Sequence, residues 1–264
     1  MIRNNLRILR YASLNALADL RTMFTWRTWA LAWLVRLLCQ VSMFALIGRV
    51  VGADRTAYLL VGNSVFIAAT SVMLVCATTA LERNAGTLPL LIAAPGQTFT
   101  VFVGRSTEWI LDGVACSSIS LFGLAPAFGV HLPMPAALLA IPAIAVTTVA
   151  IYCFGLTLGG LALRVVHLRS LVTNAGALSL MVLTGVQVPT SFWPAGLRAV
   201  AQVLPLTHGL EAVRTLVAGR SIVHAGGEVL LEAAVGALWL AVAYLVFLRF
   251  GERGRRDGSI EFGG

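Results

Sequence analysis

Lysine is missing from this chain altogether: all 19 basic residues are arginine, and acidic residues number only 11 in 264 positions. Without a lysine the chain cannot supply the phosphate-cradling Gly-x-x-x-x-Gly-Lys-Ser/Thr loop, so any ATP-driven step needs a separate ATPase chain. Lysine avoidance beside abundant Ala, Gly and Arg is the residue bias of a GC-rich bacterial genome rather than chemistry. Charge of either sign is scarce as well, at 11% of residues where a soluble domain carries roughly 25%. A surface this poor in charge faces lipid. Cysteine is limited to Cys39, Cys76, Cys116 and Cys153, each inside an apolar run and none in a CxxC pair. They read as small core residues rather than metal or redox groups. No His-Glu-x-x-His, Asp cluster or Gly-x-Ser-Gly occurs. His131, His167, His208 and His224 all fall in predicted loops, which argues against a membrane-embedded enzyme.

What is present is hydrophobicity: 58% of residues are apolar and the mean hydropathy is +0.88. A membrane crossing takes about 20 mainly apolar residues, so the expectation is an all-α integral membrane protein. Six spans are predicted within a transmembrane domain at 28–250, near 28–47, 57–80, 106–130, 136–163, 170–188 and 228–250. Ahead of them, Ile2, Leu6, Leu9, Ser13, Leu17, Leu20 and Phe24 form one stripe over residues 1–27, edged by Arg3, Arg7, Arg10 and Arg21. That pattern predicts an amphipathic helix in the membrane interface; a helix packed on protein has the same pattern, and the segment does not read as a signal peptide. Trp26, Trp29 and Trp33 open the first span as an interfacial belt. The tail, 251–264, is polar and expected to be disordered.

Arginine placement predicts the orientation. The N-terminal helix, the 81–105 and 164–169 loops and the C-terminal end hold 13 of the 19. The excess predicts that these are cytoplasmic, so the expectation is a multi-pass protein of a bacterial plasma (inner) membrane with both termini in the cytoplasm.

Ionisable groups within spans are expensive, so they pair or face water. Glu108 and Asp112 share one face of the third span and Arg36 lies at similar depth in the first, so an Arg36–Asp112 or Arg36–Glu108 ion pair is predicted. Glu211 and Arg214, one turn apart, predict a second, local pair. Asn63, Ser64, Asn174, Thr184 and Gln187 are candidates to line a substrate path, or to satisfy one another between helices.

The most informative stretch is the polar loop at 81–104. It carries Glu-Arg-x-x-Gly-Thr-Leu-x-x-Leu-x-x-x-Pro, with Glu82, Arg83, Gly86, Thr87, Leu88, Leu91 and Pro95 in the specified places. A short amphipathic helix between two spans needs a membrane surface or a soluble partner for its apolar face. This motif resembles the coupling-helix signature of ABC exporter permeases of the second type, which include drug-resistance and polysaccharide or lipid exporters. Pro89 departs from the pattern, where many relatives carry a charged residue. A second match lies in 189–227: Pro189 to Gly196, then Leu204-Pro-Leu-Thr-His208, Glu211, Arg214 and Gly219. It resembles the family's two short re-entrant helices between the last two spans.

The resemblance implies a permease that binds no cofactor itself, paired with a second copy or a paralogue and with two cytoplasmic ATPase subunits that hold ATP and Mg. Those subunits would push on the N-terminal and coupling helices to drive an amphiphilic substrate, drug-like, lipid-like or a lipid-linked glycan, outward by alternating access. The rival is an ion-coupled secondary transporter or channel, which usually places charge near the bilayer midplane.

Overall fold

The computed structural model describes residues 25–76, 98–163 and 168–257, with scattered positions between 7 and 18. Among the described residues, five helices are long and apolar enough to cross a membrane. The first, α1 (Trp26–Val51), contains a π-helical stretch at Trp29–Leu34. It is followed by α2 (Ala53–Val72), the short α3 (Thr98–Arg105) running on toward α4 (Glu108–Ala127), and α5 (Ala140–Ala162), which a 3-10 turn at Ala136–Leu139 introduces. After α6 (Arg169–Leu183) come two short helices, α7 (Ala195–Val203) and α8 (Thr207–Val217), and finally the long α9 (Ile222–Asp257). The chain is an all-helical membrane protein.

Burial sorts the helices. In α2 the apolar window is 83% buried, in α1 and α9 only 17%, so α2 is central and the other two are peripheral. It packs between α1 and α4, α5 lies against α9, and α8 is wedged among α2, α5 and α9. Small residues allow that wedge. A Cβ on Gly209 of α8 would collide with the Thr147 side chain of α5, so only glycine lets the two backbones approach this closely. Exposed leucines and valines on α1 and α9, such as Leu31, Val50, Leu230 and Leu238, face outward, as expected where lipid replaces water.

Three of the differences from the predicted boundaries have a clear physical reason. The fifth apolar segment is a helix only to Leu183 and then bends through 184–188. Fifteen residues make a helix of about 22 Å, short of a hydrocarbon core of about 30 Å, so its non-helical continuation must be sealed inside protein. Thr184, Gly185 and Val186 are indeed buried. The last helix begins at Ile222 rather than near 228, where Ser221 Oγ accepts from His224 N at 3.3 Å as an N-cap. His224 is therefore helical, as is His208 in α8. The same last helix runs through Asp257 into the tail expected to be disordered; no proline stops it there.

Candidate functional site

The coupling-loop residues Glu82, Arg83, Gly86, Thr87, Leu88, Leu91 and Pro95 lie outside the described residues, as do Arg3 and Arg21. Arg7 and Arg10 are exposed at helical positions, and Ala12 and Ala16, one turn apart, are buried.

Arg36 and Asp112 are linked through an indole, not as an ion pair. Asp112 on α4 is buried and both of its oxygens accept from indoles of α1: Trp29 Nε1 donates to Oδ1 at 2.6 Å and Trp33 Nε1 to Oδ2 at 3.0 Å. Cys116 Sγ, one turn along, adds a weak contact to Oδ1 at 3.6 Å. Arg36 instead lies over the Trp33 ring, 4.7 Å from its centroid. The predicted Arg36–Asp112 pair is thus replaced by a chain in which a tryptophan bridges cation and carboxylate. The π-helical stretch of α1 aims both indoles at α4; such widened turns often mark functional positions. Glu108, one turn before Asp112, is buried on the same helix.

The candidate path residues divide. Gln187 Nε2 donates to Asn63 Oδ1 at 3.0 Å, and Asn63 Nδ2 donates to the Leu59 carbonyl at 2.8 Å. Ser64 and Ser120 hydroxyls pair at 3.0 Å, and Ser117 Oγ donates to the Ser64 carbonyl at 2.6 Å. Thr184 Oγ1 donates to the Leu180 carbonyl within its own helix turn. These groups satisfy one another between and along helices. Asn174, on the outer side of α6, is exposed.

At the end of the bundle that holds α7 and α8, the sealed bend after α6 finds its partners. Gly185 carbonyl oxygen accepts from Tyr58 Oη at 2.5 Å and from Arg214 Nη2 at 2.9 Å. The same Nη2 reaches the Tyr58 and Val186 carbonyls at 3.3 and 3.5 Å, and the guanidinium stacks on the Tyr58 ring at 3.6 Å. So Arg214 supplies donors to the carbonyls of the non-helical bend after α6, which have no helical partner, and ties that bend to α2. It does not form the predicted local pair with Glu211, which is exposed. Glycine again makes the room, since a Cβ on Gly62 would sit 2.5 Å from the Val186 oxygen and 2.9 Å from Arg214 Nη2. Two cavities flank Arg214, one of about 710 Å³ reaching Arg49 and Arg220, the other of about 330 Å³ reaching His208 and Glu228.

One carboxylate escaped sequence reasoning. Glu232 is fully buried, ten residues into α9, and caps the start of α8: Leu206 N donates to Oε1 at 2.7 Å and Gly209 N to Oε2 at 2.8 Å. Leu206 sits at φ 89, a left-handed geometry costly for leucine, and the carboxylate holds it there. Beside it, His208 Nδ1 pairs with Glu228 Oε2 at 2.8 Å. The signal was a lone glutamate in an apolar run, masked because the span was predicted to start at Glu228. Trp29 and Trp33 were likewise read as belt residues, although their four-residue spacing matches that of Glu108 and Asp112.

No curated protein matches the chain. A family model does: ABC-2 type transporter, over residues 13–217.

Proposed function

Since the chain belongs to the ABC-2 type transporter family, being the multi-pass permease subunit of an ABC transporter that works with an ABC ATPase, we propose that it moves a hydrophobic or amphiphilic substrate outward by alternating access. The observation that carries this reading is how the interior polar groups are spent. Asn63, Gln187, Ser64, Ser120 and Asp112 bond to one another or to indoles of the same chain. Such an interior suits an apolar cargo and a machine driven from outside itself. Two copies of the chain, or this chain and a paralogue, would form the path, and two ATPase subunits would push on the 82–95 loop. Arginine asymmetry supports cytoplasmic termini in a bacterial inner membrane.

The test is reconstitution of the permease with its ATPase into vesicles, using Hoechst 33342 and fluorescent phospholipids as amphiphilic probes. ATP-dependent movement away from the ATPase side is expected. Movement driven by an ion gradient without ATP would overturn the reading in favour of secondary transport, with Asp112 and Glu232 as the groups to examine.

A further inference from the structure

The larger cavity at the α7–α8 end is lined by three arginines and two carboxylates, an excess of positive charge. We propose that it binds an anionic group, a phosphate or carboxylate, at the end of an amphiphile. Its wall carries Arg49, Arg214, Arg220 and His131 against two carboxylates, Asp54 and Glu211. Among the described residues, none of the three guanidinium groups lies within ion-pairing distance of a carboxylate. Arg214 is the centre of the argument. Its Nη2 is committed to three carbonyls, while Nε is sealed from solvent without an acceptor. Carbonyl oxygens carry only partial negative charge and do not neutralise a guanidinium. Glu211, on the same wall, acts on Arg214 only through space and from an exposed position, beyond ion-pair distance. A guanidinium partly withdrawn from water with no contacting counter-charge is costly, and an incoming oxyanion lowers that cost with charge-assisted bonds.

Size and shape fit the assignment. About 710 Å³ is within the range of small-molecule sites. Phe128 and Val217 line the same space, which gives an acyl or aromatic portion an apolar wall beside the arginines. The inference rests on the permease reading for its meaning, as the exit-side preference for acidic headgroups. Its test is equilibrium binding, which needs no transport, so the two readings fail separately.

The experiment titrates the full chain with its ATPase partner, in neutral detergent, with dihexanoylphosphatidylglycerol, dihexanoylphosphatidylcholine and inorganic phosphate. Calorimetry gives each Kd. The phosphatidylglycerol should bind more tightly than the choline lipid, and salt should weaken it. Arg49→Gln and Arg220→Gln, at exposed rim positions that leave packing intact, should each weaken binding about two- to fivefold, the scale of an exposed charge. Glu211→Gln should tighten it by a similar factor, because it removes a competing negative charge. Displacement of the lipid by inorganic phosphate shows that the anion alone is read; retention shows that the amphiphile's body is needed too. Equal affinity for the two lipids overturns the proposal. So does a Glu211→Gln protein that melts earlier with unchanged Kd, which would make Glu211 the structural counter-ion of Arg214.

Discussion

Replacing Trp29 with phenylalanine keeps most of the ring's packing and deletes one hydrogen bond, the 2.6 Å donation to Asp112 Oδ1. Hydrogen bonds to charged groups are worth about 1.5–3 kcal/mol. At roughly 2–4 °C per kcal/mol for a chain of this size, Trp29→Phe should lower the melting temperature in detergent by about 3–12 °C. Asp112→Asn should cost about as much, because an amide offers one oxygen to two indole donors and strands the other. The double variant tests the geometry. With Trp29 gone, the single amide oxygen suffices for Trp33, so the combined loss should fall short of the sum by about 1–2 kcal/mol. Arg36→Ala with Asp112→Asn should instead add to within about 0.5 kcal/mol, since Arg36 touches the Trp33 ring and not the carboxylate. The reasoning is refuted if the Arg36–Asp112 cycle shows the coupling and the Trp29–Asp112 cycle is additive.

Three further outcomes follow from the packing. Glu232→Ala leaves the Leu206 and Gly209 amides without acceptors at the head of α8 and should destabilise the protein by about 2–4 kcal/mol; hydrogen exchange should show the loss concentrated in 206–217. Gly62→Ala drives a methyl toward the Val186 carbonyl, which cannot retreat without breaking the Arg214 contacts, and should cost about 1–3 kcal/mol by thermal melting. Gly209→Ala should be at least as damaging, because the Thr147 side chain it meets is a β-branched group on a buried helix.

Much of the architecture was legible because the bilayer imposes a coarse ruler. Runs of Leu, Val, Ala and Ile gave the helical class and close boundaries for the long spans, as with 136–163 against a structured 136–162. What failed did so where local chemistry overrides hydropathy. The end of α6 at Leu183 was missed because Val186 and Val188 carry the hydrophobic run past Thr184-Gly185, and the bend there is sealed by Arg214 and Tyr58 from distant parts of the chain. Glu232 drew no reading from the sequence, since a last span taken to start near 228 rather than at Ile222 leaves it close to the interface rather than in the interior. Pairing by charge was predicted for Arg36 with Asp112 and for Arg214 with Glu211. The structure gives Arg36 an aromatic partner and Arg214 an aromatic ring and carbonyls, which charge and spacing alone cannot reveal. The 82–95 motif was legible as a pattern, and it lies outside the described residues.

The most direct measurement is affinity purification of the tagged chain from its native membrane, scored for a stoichiometric ABC ATPase and repeated with Glu82→Ala and Arg83→Ala together. The account predicts that the ATPase copurifies with the unaltered chain and is lost, or loses its coupled hydrolysis, in the double variant while the permease itself melts unchanged. A chain that purifies without an ATPase and still moves solute would contradict it.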